Sequence, residues 1–329
     1  MSFQTAPVSL QDIQAPILRE LEGVVAELQR VVRSDFPLIS DVNAHLLQMR
    51  GKMFRPTLVL LANQATGNRD PRATRLAAVI ELIHLATLVH DDSVDHSVLR
   101  RGMPTINALF SHQVSVIMGD YLYSRAVIEL VALEDLEPLR VLSRVTNEMT
   151  VGEMRQLLAH DRLRFAEEDY DLLIRSKTAS LLSAASESGA LCAPPAQRAA
   201  LRKFGEYLGM AFQIVDDLLD YTEGEEVTGK PSGLDLKEHK VTLPLIAALP
   251  RMTEQERSDV TRLMDTPEPA DDQIAAVVQA VARAGGLEYA RTRAQEIGAR
   301  AEAALEDLPG GAATEALRAS VAYVLDRRR

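Results

Sequence analysis

Apolar residues recur at steps of three and four over most of the chain, a spacing that places them on one face of an α-helix. From Ile13 to Val32 they form one continuous stripe. Similar stripes predict helices over 56–66, 72–95, 112–132, 138–160, 169–190, 197–221, 241–249, 270–284, 287–307 and 312–326. Alternating strand patterns are scarce, so the sequence predicts an all-α fold.

Length and charge restrict the class of protein without changing this picture. The 329 residues contain no linker or repeat, and we treat residues 1–329 as a single domain. A net charge of −11 disfavours nucleic acid as a partner. The single cysteine, Cys192, excludes a disulfide framework and is interpreted as a core residue. Without a signal peptide or a membrane-length apolar run, we expect a cytoplasmic protein with no transmembrane segment.

Two identical acidic motifs stand inside apolar, helix-forming sequence. They are Asp91, Asp92 and Asp95, then Asp216, Asp217 and Asp220. On a helix the first and last aspartates of each motif point the same way, and such like-charge pairs cost roughly 0.2–0.5 kcal/mol each. Carboxylates among Leu, Ile and Val are rare unless a cation meets them. Two such motifs therefore predict a divalent metal site, with two solvated helix faces as the alternative.

The ligand chemistry of these motifs favours magnesium. Carboxylate oxygens, with no softer ligand nearby, suit Mg²⁺, which keeps much of its water and bridges one or two carboxylates to substrate phosphates. The sequence therefore predicts Mg²⁺ as a cofactor and a phosphate ester as the substrate.

Four cations form two candidate phosphate sites, one after the first motif and one upstream of it. Arg100 and Arg101 follow Asp95 after four residues, and the guanidinium fork matches phosphate oxygens. Lys52 and Arg55 stand three residues apart at a predicted helix start, where backbone N–H groups also attract anions. Taken alone, a Lys–Arg pair at this spacing is usually solvated.

Seven short motifs follow one another along the chain. They are GKxxRP from Gly51, His84, DDxxD-x4-RRG from Asp91, Lys177-Thr178, FQxxDDxxD from Phe212, Gly229-Lys230-Pro231 and KxTLP from Lys240. In this order they resemble the trans (E-type) polyprenyl diphosphate synthases over most of the chain, in particular the medium- and long-chain, octaprenyl type. The resemblance implies a homodimer whose subunit is a bundle of antiparallel helices around a central cavity, with the acidic motifs facing each other across it.

The resemblance also implies a role for each matching residue. The main Mg²⁺ ligands would be Asp91, Asp95 and Asp216, with Asp92, Asp217 and Asp220 as further ligands. The allylic diphosphate would be bound by Arg100, Lys177 and Lys230. The diphosphate of isopentenyl diphosphate would be bound by Lys52, Arg55, His84 and Arg101. Thr178 and Gln213 would lie beside the reacting carbons, and Lys240 would close the site.

The implied reaction joins an allylic diphosphate to isopentenyl diphosphate, head to tail. Breaking the first carbon–oxygen bond leaves a carbocation and a diphosphate, whose charge the metal and the cations neutralise. Water must be excluded from the carbocation. A long irregular segment, Glu223 to His239, follows the second motif and contains Gly229 and Gly233. We interpret it as a lid, with plain disorder as the alternative.

The helix of the first motif also bears on product length. In this family, bulk four and five residues before the first aspartate closes the tunnel for the growing chain, and here Thr87 and Ala86 are small. A helical turn rises about 5.4 Å, close to one isoprene unit, so the chain should pass to Ile83 and beyond. A two-residue insertion found in the first motif of some short-chain members is absent. We expect a product near eight units, with geranylgeranyl diphosphate as the alternative.

Three other functions fit the sequence less well. A class I terpene cyclase has one DDxxD, but its second metal motif mixes Asn, Ser or Thr with Glu. An HD-type phosphohydrolase using His90-Asp91 would leave the second motif unexplained. A non-catalytic partner subunit would be expected to lack acids or cations, and none is missing.

The tail, Arg327 to Arg329, is interpreted as solvated, with transient membrane contact during product release as the alternative.

Overall fold

The structure is a computed structural model that describes residues 8–49, 51–158, 165–222 and 233–327. Some of the predicted features lie outside these residues. They are Lys230, the greater part of the proposed lid with Gly229, and Arg328 and Arg329 of the tail.

The described residues form α-helices with a single short hairpin. The helices of the first half are α1 (Leu10–Gln14), α2 (Leu18–Val31), α3 (Pro37–Gln48), α4 (Phe54–Ala65), α5 (Ala73–Val94), α6 (Ile106–Leu109), α7 (His112–Val131) and α8 (Leu136–Leu158). Those of the second half are α9 (Glu167–Ile174), α10 (Ser180–Gly189), α11 (Pro195–Thr222), α12 (Leu234–Lys237), α13 (Leu243–Ala248), α14 (Glu254–Asp265), α15 (Asp271–Arg283), α16 (Gly286–Ala303) and α17 (Ala312–Leu325). Short 3₁₀ turns cover Ala15–Ile17 and Leu249–Arg251. The all-α class is confirmed, whereas the single-domain prediction stays a prediction.

Helix α5 lies at the centre of the main core and carries the first acidic motif at its end. It packs against α2, α4 and α7, and its buried residues face all of them. By length and composition it is apolar enough to cross a membrane, but 67% of its apolar window is buried inside the fold. This burial is typical of a core helix, and no other helix in the described ranges passes the same test.

Helix α11 carries the second acidic motif and packs closely on α10 and α16. Gly209, in the middle of α11, allows close approach to the residues just before α10, because a Cβ at that position would lie 2.5 Å from the Cα of Ala179. A side chain there would push α11 away from this segment, in which Thr178 also lies.

A smaller core joins α12 to α15 beside the end of α11. It contains Tyr221 of α11 together with apolar residues of the four helices, and Leu287 packs against both cores. Helix α14 was not predicted, because it buries only Val260 and Leu263 and its apolar stripe is therefore too short. Its capping box, formed by Thr253 and Glu256, was the available signal.

Other local predictions were wrong. Helix α3 was missed, although Pro37 marks its first turn. The predicted helix 169–190 is divided into α9, a π-helical turn over Arg175–Ala179, and α10. Cys192 is exposed rather than a core residue, and its thiol donates a hydrogen bond to Asp70 Oδ2 at 3.4 Å.

Candidate active site

Both acidic motifs lie at the carboxyl ends of long helices. Asp91 and Asp92 occupy the last turn of α5, Asp95 caps it, and Asp216 and Asp217 lie in the last two turns of α11. A helix carboxyl end carries unpaired carbonyls and the negative pole of the macrodipole, both unfavourable for carboxylates. Each motif therefore needs positive charge from elsewhere.

The first motif receives some of this charge from the residues that follow it. Asp92 is buried and accepts a hydrogen bond from Arg100 Nε at 2.7 Å. Asp91 is half-buried, and burial raises its pKa to about 6, while the Lys177 ammonium opposes this shift. Asp95 is exposed. The three aspartates thus differ in environment despite their shared motif.

A two-residue hairpin turn orients both arginines after the first motif. Strands β1 (Leu99–Arg100) and β2 (Met103–Pro104) pair across Arg101 and Gly102, which both have positive φ, as a type I′ turn requires. Arg100 reaches Asp92, whereas Arg101 Nη1 donates to the carbonyl of Met49 at 2.7 Å. The glycine of the RRG motif is therefore a requirement of the turn.

Arg101 brings the hairpin against the GKxxRP motif. Gly51 leaves room for its guanidinium, because a Cβ at Gly51 would lie 2.5 Å from Arg101 Nη2. Arg55 lies in the first turn of α4, so the predicted helix start is confirmed. Lys52 precedes it and donates a hydrogen bond to the Tyr323 hydroxyl at 3.3 Å.

His84 lies in the same electropositive region. Its pKa is lowered well below the usual value, first by burial and then by the charges of Arg55, Arg101 and Arg100. The imidazole is therefore neutral and can donate one hydrogen bond. Glu81, one turn earlier on α5, is a buried carboxylate whose negative charge acts on Arg55 and Arg101. Glu81 was not predicted as a site residue, because its sequence position resembles that of any other charged residue in a helical run.

In the second motif, Asp216 is paired with the C-terminal tail. Arg327 Nη1 lies 3.0 Å from Asp216 Oδ1, and its guanidinium stacks on the Phe212 ring with the centroid at 4.6 Å. The prediction that the tail is solvated is thus wrong for Arg327. Phe212 also stacks on Phe54 of the GKxxRP motif, at 6.2 Å between centroids, so Phe212 lies between this motif and the tail.

Asp217 is buried and bonded entirely within the protein. Tyr170 of α9 donates to its Oδ2 at 2.6 Å, and Gln213 Nε2 donates to its Oδ1 at 2.8 Å. Thr178 in turn donates to Gln213 Oε1 at 2.8 Å. Burial raises the pKa of Asp217, as does the charge of Asp235, while the two donors oppose this shift.

Asp220 organises the segment that follows the motif. Its Oδ1 and Oδ2 accept hydrogen bonds from the backbone N–H groups of Leu234 and Asp235, at 3.1 and 3.0 Å. Residues 234–237 are consequently helical, in contrast to the irregular segment that we predicted. Burial and the charge of Asp220 raise the pKa of Asp235 to about 7. Asp235 was missed because nothing in the local sequence separates it from other loop acids.

Two lysines near the acidic motifs are each paired with a glutamate. Lys177, in the π-helical turn, forms an ion pair with Glu153 at 2.7 Å, and its charge acts on Asp91. Lys240 forms an ion pair with Glu238 at 2.6 Å. Its raised pKa reflects Glu238 and also Asp235 and Asp95, with desolvation opposing them. The charges of Asp95 in the first motif and of Asp235, whose N–H donates to Asp220 of the second, thus both act on Lys240. Glu153 was not predicted as a site residue.

The acidic residues fit a hydrated divalent cation better than a closed metal cage. Among the residues with described positions, no group of three His, Cys, Asp or Glu side chains forms a metal site. Mg²⁺ needs no such group, because it binds one or two carboxylates together with water and substrate phosphates. The pairing of Arg327 with Asp216 also indicates that this carboxylate attracts a cation.

The predicted chain-length residues lie on the same helix as the first motif. Ile83 and Ala86 are buried, and Thr87 is half-buried with its hydroxyl donating to the His84 carbonyl at 2.8 Å. Because this hydrogen bond is local to α5, the Thr87 side chain folds back along the helix and adds little bulk.

Comparison with known proteins gives the same family over most of the chain. The polyprenyl synthetase family model matches residues 36–281. An all-trans-nonaprenyl-diphosphate synthase (geranyl-diphosphate specific) from Rhodobacter capsulatus is 40% identical over 319 residues, covering 96% of this chain and 98% of that protein. An octaprenyl diphosphate synthase from Escherichia coli (strain K12) is 38% identical over 312 residues, covering 94% and 96%.

Solved structures agree with the sequence matches. A polyprenyl synthase from Caulobacter crescentus, complexed with calcium and isoprenyl diphosphate, has a TM-score of 0.93 at 32% identity, covering 99% of this chain and 100% of that one. A decaprenyl diphosphate synthase from Rhodobacter capsulatus has a TM-score of 0.92 at 36% identity, covering 98% and 100%. The chain therefore belongs to the polyprenyl synthetase family and is a prenyltransferase.

Proposed function

We propose that this enzyme condenses an allylic diphosphate with isopentenyl diphosphate, head to tail and with Mg²⁺, to an all-trans polyprenyl diphosphate of near eight isoprene units. The observation that supports the proposal is that Asp95 of the first motif and Asp235, which is hydrogen-bonded to Asp220 of the second, both act on Lys240, so that the two motifs would border one site. The nonaprenyl and octaprenyl synthases among its relatives support a medium-length product. Geranylgeranyl diphosphate remains the alternative product.

The acidic motifs would hold the metal. We assign Asp91, Asp95 and Asp216 as its ligands, and Asp92, Asp217 and Asp220 as residues behind them. Bound Mg²⁺ would act as a Lewis acid that neutralises charge on the departing diphosphate. Because both motifs lie at negative helix ends, the protein itself provides a field that attracts cations to this point.

The allylic substrate would lie between the first motif and the π-helical turn. Arg100 contacts Asp92 through Nε, which leaves its terminal nitrogens able to bind diphosphate oxygens. Lys177 would exchange its pairing with Glu153 for the same diphosphate, and Lys230 stays a prediction. The oxygens of Thr178 and Gln213 would then face the carbocation, where their dipoles stabilise positive charge.

Isopentenyl diphosphate would bind at the start of α4. Lys52 and Arg55 flank the helix amino terminus, and the hairpin carries Arg101 to the same region. Neutral His84 would contribute a hydrogen bond rather than a charge, because the surrounding arginines disfavour its protonation. Lys240 would close the site from the side of the second motif.

The growing chain would run beside α5, past Thr87 and Ala86 toward Ile83. The small side chains at the first two positions support a tunnel that continues at least one helical turn beyond them. A short farnesyl product is accordingly disfavoured.

A homodimer is part of the same proposal. Helix α7 exposes Val116, Ile117, Ile128 and Val131, which are between 45% and 63% exposed. Such an apolar stripe on one helix is unusual at a free surface and suits burial against a second copy of this chain. Sedimentation of the wild type and of an Ile117→Asp, Ile128→Asp variant tests this, and a wild-type monomer would contradict it.

One assay tests the catalytic proposal. The protein is incubated with labelled isopentenyl diphosphate and geranyl, farnesyl or geranylgeranyl diphosphate, with Mg²⁺ or with EDTA, and the dephosphorylated products are separated by chromatography. We expect Mg²⁺-dependent label in products near eight units. Consumption of the allylic diphosphate without incorporated label would instead support a terpene cyclase.

A further inference from the structure

A chain of hydrogen bonds, buried at its Tyr170–Asp217 end, runs behind the second acidic motif. It begins at the Tyr170 hydroxyl, passes through both oxygens of Asp217 and the side-chain amide of Gln213, and ends at Thr178. The three bonds are 2.6, 2.8 and 2.8 Å long. The chain thus connects α9, α11 and the π-helical turn at the point where the reacting carbons are proposed to lie.

Asp217 is in a poor position to bind metal directly. The residue is only 6% exposed, and each of its carboxylate oxygens already accepts a hydrogen bond. Its carboxylate faces Tyr170, whose side chain is among the largest that are fully buried. These contacts indicate that Asp217 has a structural role. Asp216 differs from it, because the Asp216 side chain is half exposed.

The hydrogen bond to Asp217 decides which way the Gln213 amide points. Gln213 Nε2 donates to Asp217 Oδ1, and Gln213 Oε1, on the other side of the amide, accepts from Thr178. Thr178 gives its only hydroxyl proton to that oxygen. Two oxygens are consequently held side by side, with their negative dipole ends near one point.

We propose that Tyr170 is a positioning residue for prenyl transfer: by anchoring Asp217 as an acceptor, it fixes the Gln213–Thr178 oxygen pair beside the carbocation. The inference rests on the proposed function. Tyr170 itself touches no substrate in this arrangement, because Asp217 and Gln213 lie between it and Thr178. Its hydroxyl group therefore acts on the reaction through the orientation of the amide.

Tyr170→Phe tests the proposal, because it removes the hydroxyl and keeps the ring. We expect kcat to fall about tenfold while KM for both substrates stays within about twofold, since orientation is lost and binding is kept. Tyr289→Phe is the matched control. The Tyr289 hydroxyl donates at the same distance, 2.6 Å, to Glu167, which lies on α9 as Tyr170 does. Tyr289 does not belong to the proposed site, so the kcat of Tyr289→Phe should not change.

A double-mutant cycle separates positioning from general destabilisation. Tyr170→Phe and Thr178→Val act on the two ends of one hydrogen-bond chain, so their effects on kcat should overlap, and the double variant should be little slower than the slower single variant. Asp217→Asn, of the same size, should give a loss similar to that of Tyr170→Phe. It provides a second reading if Tyr170→Phe unfolds.

The outcomes distinguish this inference from the function on which it rests. Multiplicative losses in the cycle, or an equal loss in Tyr289→Phe, would overturn the positioning role while the wild type still elongates its substrate. A wild type that forms no polyprenyl diphosphate would overturn the proposed function, and the inference with it. Overlapping losses with unchanged KM would support both.

Discussion

The two acidic motifs have the same spacing and both lie at the carboxyl end of a helix, yet the protein supports them differently. In the first, the middle aspartate, Asp92, is held by the charged Arg100. In the second, the equivalent Asp217 is held by the neutral donors Tyr170 and Gln213. The last aspartates also differ, since Asp95 is exposed and Asp220 caps α12.

This difference concerns where the neutralising charge comes from. The first motif has a cation in its own hairpin and Lys177 opposite, so part of its charge is balanced within the fold. The second motif has Arg327 of the tail on Asp216 and neutral groups on Asp217. We infer that the second motif depends more on an added cation, and that an identical motif does not imply identical roles for its three acids.

The largest expected effect comes from comparing substitutions of Asp216 and Asp220. Asp216→Asn should lower kcat roughly 10²–10³-fold, because it removes a group that acts on developing charge. Asp220→Asn should lower kcat about tenfold or less, since the Asp220 oxygens accept hydrogen bonds from backbone N–H groups at the start of α12. An amide oxygen can replace one of these acceptors. Single-turnover kinetics provide the measurement.

Asp265→Asn, on an exposed residue of α14, is the control and should leave kcat unchanged. Equal losses of kcat in Asp216→Asn and Asp220→Asn would contradict the different roles that we assign to these two aspartates.

The hairpin of the first motif allows a more selective test. Gly51→Ala would place a methyl group where the Arg101 guanidinium lies, while Arg100 keeps its contact with Asp92. We expect KM for isopentenyl diphosphate to rise about tenfold, with KM for the allylic substrate nearly unchanged. Gly310→Ala, where a Cβ meets open space, is the control. If both KM values rise together, the two arginines do not serve separate substrates.

Such asymmetries could not be predicted from local sequence. The all-α class and most helices follow from apolar stripes, and both motifs are visible because their members lie within one turn of each other. The partners that distinguish the motifs are distant in sequence: Tyr170 is 47 residues from Asp217, and Arg327 is 111 residues from Asp216. A regular pattern connects neither pair, because these contacts depend on how α9 and α17 pack against α11.

The two helices that carry the motifs also differ at the position that bears on product length. Four residues before its first aspartate, α5 has Thr87, whereas α11 has Phe212, which stacks on Phe54. The tunnel should therefore run beside α5. Ala86→Phe is expected to shorten the product by at least one isoprene unit, as read by chromatography, while Thr87→Val, which adds no bulk, should leave it unchanged. A longer product from Phe212→Ala would place the tunnel beside α11 instead.

The smallest effect concerns the tail. Arg327 is 20% exposed and Asp216 49%, and an ion pair with this much solvent contributes roughly 0.2–1 kcal/mol. Because a divalent cation must displace the guanidinium from Asp216, Arg327→Gln should strengthen Mn²⁺ binding, measured by electron paramagnetic resonance without substrate, by about threefold. Arg318→Gln, which alters a partly exposed arginine of α17 near Glu315, is the control and should not change it. Weaker Mn²⁺ binding in Arg327→Gln would mean that Arg327 orients Asp216 for the metal rather than competing with the metal. The second motif, like the first, would then include a cation that helps to organise its carboxylates.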